Sequence, residues 1–124
     1  MGEELNPNER LELDENCIFC RIANGQLGTE FVAESANAVA FNDIEPMTPV
    51  HVLVVPKQHI VGLRDLNDPQ LAVELLDLIK QVATERGLLD GGYRIITNDG
   101  PEGGQSVFHL HFHVLGGRKL GRMA

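Results

Sequence analysis

Residues 103–117 read Gly-Gly-Gln-Ser-Val-Phe-His-Leu-His-Phe-His-Val-Leu-Gly-Gly, and their period decides how the rest of the chain is read. Polar and apolar residues alternate strictly from His109 to Val114, the pattern of a β-strand. His109, His111 and His113 then share one face, and Leu110, Phe112 and Val114 share the other. Same-face neighbours in a strand lie roughly 6.5–7 Å apart, so a group of phosphate size held at the middle imidazole is within reach of both flanking ones. The expectation is a strand over 107–115, with chemistry on one face and core on the other, behind a glycine-rich loop over 98–106.

Outward from this strand, the run Val50–Val55 (VHVLVV) is the most strand-like in the chain and ends at Pro56. Its His51 shares a face with Leu53 and Val55. Shorter strands are expected over Thr29–Glu34, Ala38–Asn42 and Tyr93–Thr97. Asp68-Pro69 reads as an N-cap with proline in the first turn. Leu71, Leu75, Leu78, Ile79 and Val82 follow at helical spacing until Gly87. Ala72, Leu76 and Ala83 widen this apolar face, as a helix packed on a sheet and also meeting a second subunit would require. A short helix over Cys17–Ala23 stops at Asn24-Gly25. These elements make an α+β fold, an antiparallel sheet of about five strands with one long and one short helix packed to one side.

Residues 1–16 are acidic, lack a period, and carry neither the basic start nor the apolar centre of a secretory leader. They are read as a flexible tail before a single domain over 17–124, and the expected location is the cytoplasm. A formal net charge of −8 argues against nucleic acid as a partner, since backbone affinity needs many Lys and Arg side chains. No apolar run approaches the ~20 residues that span a bilayer. A single phosphorylated small molecule stays open, because main-chain N–H groups and imidazoles can hold one phosphate without a basic surface. Cys17 and Cys20 form a C-x-x-C, which in such a chain favours a metal or redox pair over a structural disulfide.

A neutral imidazole is a competent nucleophile toward phosphorus, and His111 is the natural candidate if its other ring nitrogen donates to a main-chain carbonyl. His113 is placed to bond the non-bridging oxygens. N–H groups around Gly103–Ser106, including those of Gly104 and Gln105, are placed to stabilise charge on the phosphoryl group, and the Ser106 hydroxyl to assist a leaving group. The competing reading is a catalytic zinc on three histidines. No Asp or Glu follows the triad to act as ligand or base, however, and the preceding loop suits an anion. That loop lacks the Lys-Ser/Thr of a P-loop.

With these residues in view, the stretch Cys17–Arg118 resembles the histidine triad superfamily, and most of all its Hint-type purine nucleoside phosphoramidases, through GGQSVFHLHFHVLGGR. The resemblance implies a homodimer with one sheet running across both subunits. It also implies hydrolysis of purine nucleoside 5′-phosphoramidates through a nucleotidyl-histidine, releasing a purine nucleotide such as AMP or GMP without an organic cofactor. By this likeness His111 is the nucleophile, His113 a phosphate ligand, His51 a partner in a histidine relay, and Ser106 the neighbour of the leaving group. Asp43 falls on the ribose hydroxyls and Asn98 on the phosphate or ribose. Ile18, Phe19, Ile22, Phe41 and Ile44 wall the purine pocket, and Gly104 and Gln105 complete the nucleotide contacts. Alternatives compatible with the same residues are a dinucleoside polyphosphate hydrolase and a nucleotide-binding interaction module with little turnover.

Some superfamily members also carry a structural zinc, and the matching residues here are Cys17, Cys20, His59 and His109, a sensible tetrahedral set. The end of the chain departs from the Hint type. Gly116-Gly117-Arg118-Lys119-Leu120-Gly121-Arg122-Met123-Ala124 stands where a Trp-Pro-Pro-Gly tail would reach the neighbouring site.

Overall fold

The computed structural model describes residues 17–122, so the expected acidic tail over 1–16 lies outside the described residues. The elements in chain order are α1 (Ile18–Ala23), β1 (Ala33–Glu34), β2 (Ala38–Asn42), β3 (Val50–Pro56), a 3₁₀ turn (Leu63–Asp65), α2 (Pro69–Glu85), β4 (Tyr93–Ile96) and β5 (Phe112–Gly116). All strand pairs are antiparallel, in the order β1-β2-β3-β5-β4. Among the described residues no helix is long and apolar enough to cross a membrane.

The central strand β3 explains the layering. Its Val52 and Val54 join Ala38, Ala40, Leu110, Phe112 and Val114 in a core against Leu71, Leu75, Leu78, Ile79 and Val82 of α2. Leu53 and Val55 instead join Val39 and Phe41 in a second core, against Cys17, Phe19, Cys20 and Ala23 around α1. The helices therefore lie on opposite faces of the sheet, not on one side as the order of elements suggests. A strand buried on both faces needs apolar residues at successive positions, which is the reason for the unbroken run Val52–Val55.

Helix α2 is bounded as its sequence predicts. The Asp68 carboxylate accepts hydrogen bonds from the N–H groups of Gln70 (3.0 Å) and Leu71 (3.4 Å). At the other end Gly87 takes φ +72°, its N–H donates to Thr84 O, and Leu88 N–H donates to Ala83 O. This is a Schellman stop whose following leucine is buried. Ala83 is fully buried in the α2 core, so it does not widen an outer face; Val73 and Leu76, 57% and 51% exposed, form that face. Glu74 ties α2 to the β1–β2 turn by accepting hydrogen bonds from Ser35 Oγ, Asn37 N (2.6 Å) and Asn37 Nδ2 (3.0 Å).

Two expected strands are shorter than their sequence patterns. Only Ala33–Glu34 of the run Thr29–Glu34 pairs, and the strand expected over 107–115 begins at Phe112. Its partner β3 ends at Pro56, and Phe112 stands opposite Val54. Upstream of that point the chain is joined instead to the segment after β3, where Leu110 N–H donates to Ile60 O at 2.6 Å. The alternation of faces nevertheless persists through 109–111, because Leu110 is packed in the α2 core while His109 and His111 turn to the α1 side.

Candidate functional site

The α1 face of the sheet gathers the histidines. Phe19 stands edge-on to His111 (ring centroids 5.0 Å apart), to His109 (6.1 Å) and to Phe41 (5.7 Å). His111 and His113 follow with centroids 5.1 Å apart. In the β3–β5 ladder Leu53 is opposite His113 and His51 opposite Leu115, so His51 and His113 are diagonal neighbours on one face. Their rings meet directly, Nε2 of His51 lying 2.9 Å from Nδ1 of His113.

Main-chain partners assign the tautomers of these rings. His111 Nδ1 lies 2.8 Å from His109 O, a carbonyl that can only accept, so Nδ1 carries the proton and Nε2 keeps a lone pair. His109 Nε2 lies 2.9 Å from Pro56 O, so here Nε2 carries the proton and Nδ1 the lone pair. His51 Nδ1 accepts the N–H of Met47 at 3.0 Å, so His51 must donate through Nε2, and the nearer acceptor is His113 Nδ1 at 2.9 Å, with Asp43 Oδ2 at 3.4 Å. That leaves the proton of His113 on Nε2. The face thus offers a nucleophilic lone pair on His111 beside an N–H donor on His113.

Burial disfavours the charged form of three of these rings, His109, His113 and His51. It pushes His109 down to about 4, partly opposed by the bond to Pro56 O. It also pushes His113 down to about 4, with His111 and His51 adding to the effect and Asp43 opposing it. His51 is lowered too, burial outweighing the pull of Asp43. The Asp43–His51 contact (Oδ2 to Nε2, 3.4 Å) is therefore a polar contact to a neutral imidazole, not an ion pair. Asp43 turns its other oxygen to the N–H of Glu45 at 2.9 Å.

Among the described residues, two clusters have donor atoms close enough to hold a metal ion: Cys17, Cys20, His59 and His109, and Asp43, His51 and His113. Their hydrogen bonds separate them. In the first, Nδ1 of His59 lies 3.5 and 3.2 Å from the sulfurs of Cys17 and Cys20, and Nδ1 of His109 lies 3.3 and 3.4 Å from the same atoms. A tetrahedral ion at ~2.3 Å from sulfur and ~2.05 Å from nitrogen would set these pairs about 3.6 Å apart. His109 already directs its lone pair inward, neither cysteine is in a disulfide, and the donor set can bind a metal. In the second cluster the Met47 N–H on Nδ1 holds the proton of His51 on Nε2, the atom a metal would need. His51 Nε2 instead donates to His113 Nδ1 at 2.9 Å.

The loop departs from expectation. The N–H groups of Gly103, Gly104 and Gln105 donate to Gly100 O, Pro101 O and Gly100 O, so three of the four proposed anion donors are turned inward. Such a tight glycine turn satisfies its own main chain. Asn98 donates to Gly103 O at 2.7 Å. The carboxamide of Gln105, 6% exposed, is also spent inside the protein. Ser106 is exposed and lines a groove of about 380 Å³ with Cys17, Ile18, His59, Val61, Val107 and Phe108. Of the expected purine-pocket residues, Phe19 and Phe41 are buried, Ile22 is half-buried, and Ile18 and Ile44 are 41% and 94% exposed.

The main-chain carbonyl expected for His111 is His109 O, whereas two main-chain partners escaped sequence reasoning, the Met47 N–H and Pro56 O. For Met47 a signal exists. In Pro46-Met47-Thr48-Pro49 the prolines lack N–H groups, so only Met47 and Thr48 can donate from that stretch. Thr97, whose Oγ1 donates to His111 O at 2.8 Å, was also not foreseen.

Residues 24–120 match the HIT domain. The chain is 42% identical over 109 residues to a HIT-like protein of Chlamydia pneumoniae, covering 86% of this chain and 98% of that protein. Among solved structures it is similar to a HIT family hydrolase from Legionella pneumophila, with a TM-score of 0.81 and 42% identity over 86% of this chain and 96% of that one. It is also similar to a histidine triad nucleotide-binding protein from Candida albicans, with a TM-score of 0.72 and 30% identity over 87% of this chain and 85% of that one.

Proposed function

The chain belongs to the HIT domain family, and on that premise we propose that it hydrolyses purine nucleoside 5′-phosphoramidates in the cytoplasm. His111 Nε2 attacks phosphorus, the P–N bond breaks, and the amine leaves with a proton taken from solvent water. The nucleotide is then held on His111 until water adds to phosphorus and AMP or GMP departs. The observation that carries this reading is the bond from His111 Nδ1 to His109 O, which frees Nε2 and can stabilise the positive charge that the ring gains on attack. His113 Nε2–H is the donor for a non-bridging oxygen, and His51 holds that tautomer. Asp43 is read as the ribose contact, Asn98 as a phosphate or ribose contact, and Ser106 as the neighbour of the leaving group. Ile18, Phe19, Ile22, Phe41 and Ile44 are read as the base pocket.

Zinc is the ion we assign to Cys17, Cys20, His59 and His109. When bound it supplies a cross-link between α1 and the start of the triad segment, not a reacting group. A homodimer is supported by the outer edge of β4, which pairs with no strand among the described residues, and by the exposed Val73, Leu76 and Ile95. The test is hydrolysis of adenosine 5′-phosphoramidate by the wild type and by His111→Ala. Turnover that the substitution abolishes is expected. If the folded wild type binds AMP but releases none from this substrate, the phosphoramidase reading falls, and cleavage of a diadenosine polyphosphate or a pure binding role takes its place.

A further inference from the structure

Gln105 lies in a loop that reads as a phosphate cradle, yet its side chain makes three internal hydrogen bonds. Its Oε1 accepts the N–H of Gly100 at 2.8 Å, and its Nε2 donates to Val61 O at 2.6 Å and to Val107 O at 3.1 Å. Together with Leu110 N to Ile60 O (2.6 Å) and Arg64 N to Asp99 Oδ2 (3.0 Å), these bonds form a seam that joins the loop to the segment 59–64. The approach is close. A Cβ on Gly62 would lie 2.8 Å from Asp99 Oδ1 and 3.5 Å from Gln105 Oε1. His59 and His109 stand at one end of the seam, and Ser106 follows Gln105 directly.

We propose that Gln105 is a positioning residue, and not a nucleotide ligand: its buried carboxamide fixes the loop 98–106 on the segment 59–64 and so sets where Ser106 and the start of the triad segment stand. A carboxamide suits this place because it faces one N–H and two carbonyl oxygens, and only an amide offers an acceptor and two donors at once. The inference deepens the hydrolase reading and rests on it only for the kinetic arm of its test.

Three variants test it. Gln105→Leu removes all three bonds, and Gly62→Ala presses on Asp99 while meeting Gln105 Oε1 only at van der Waals distance. Gln105→Glu keeps the acceptor for Gly100 but sets a carboxylate against two carbonyls, a clash that protonation relieves by restoring one donor. The charged and titratable groups on the two segments are His59, Arg64, Asp99 and Glu102, with Asp65 and His109 next to them, and Asp99 and Arg64 pair with each other. Amide exchange is read at Gly100, with the α2 amides as the control for folding. Expected is at least tenfold faster exchange at Gly100 in Gln105→Leu and Gly62→Ala with α2 unchanged. For both variants kcat should fall about tenfold or more while AMP affinity stays within about threefold. In Gln105→Glu, relative to wild type, kcat should recover as pH falls. Gly100 exchange unchanged in Gln105→Leu overturns the proposal, as does a loss confined to AMP affinity, which would make Gln105 a ligand. If the wild type has no turnover the hydrolase reading fails, and exchange at Gly100 still decides the role of Gln105.

Discussion

Adding zinc to the metal-free protein should stabilise it in a way set by the four inward-facing donors. An ion that binds only the folded state adds RT ln(1 + [M]/Kd), about 1.4 kcal/mol for each tenfold rise in free ion above Kd. For a domain of this size 1 kcal/mol moves the melting temperature by roughly 4 °C, so each decade of free zinc should raise it by about 5–6 °C. The proton count follows from the tautomers. His109 enters neutral, with its proton on Nε2 bonded to Pro56 O and its pKa pushed down to about 4, so it releases none near neutral pH. The two thiols must each lose one. Calorimetry at pH 7 in buffers of different ionisation heat should therefore show protons released by the two thiols and none by His109. Cys20→Ser should remove most of the affinity while leaving the metal-free fold melting near the wild type. A melting temperature indifferent to buffered free zinc over four decades would refute the site. A slope that survives unchanged in Cys20→Ser would place the ion elsewhere.

Metal-free protein should lose stability as pH falls from about 6.5 towards 4. His109 and His113 are both held at about 4 in the fold and rise to ~6.5 when it opens, so the unfolded chain takes up more protons across that window and the full contribution is present only above it. The loss is on the order of 3 kcal/mol from buried His109 and less from His113, which water partly screens. Urea melts that stay flat between pH 6.5 and 4.5 would contradict it. Leu75→Ala, at a fully buried position of the α2 core, should cost about 3 kcal/mol in the same assay. The paired change Val73→Glu and Leu76→Glu on the exposed face of α2 should yield a folded monomer by sedimentation; an undiminished dimer would move the interface off that helix.

Elements with their own punctuation were legible in the sequence. Helix α2 carries its cap at Asp68-Pro69 and its stop at Gly87, and β2, β3 and β4 were read to within a residue of their observed ends. Period alone misled at the triad. Alternation reports which face a side chain takes, and that reading held for 109–114, but it says nothing about pairing, which depends on where β3 turns away at Pro56. The placement of α1 opposite α2 was written in the run Val52–Val55, as a strand apolar on both faces, yet the order of elements drew the reading to one side. The loop escaped because its hydrogen bonds are internal to a glycine turn and leave no periodic trace. The proximity of Cys17, Cys20, His59 and His109 came only from likeness to a family, since nothing local links residues 59 and 109.

The proton positions of His51, His109 and His111 are held by the main chain, and that of His113 by His51 in turn. Pro56 O, His109 O and the Met47 N–H each occupy one nitrogen of a ring and thereby dictate what the other nitrogen offers. A carbonyl or an N–H follows the path of the backbone, whatever side chain it bears. The identities of residues 47 and 56 can accordingly drift over evolutionary time, provided that position 47 keeps its N–H. The reactive and donating ends of the histidines are inherited with the fold, and descendants of this chain can diversify the walls of the pocket without resetting its acid–base logic.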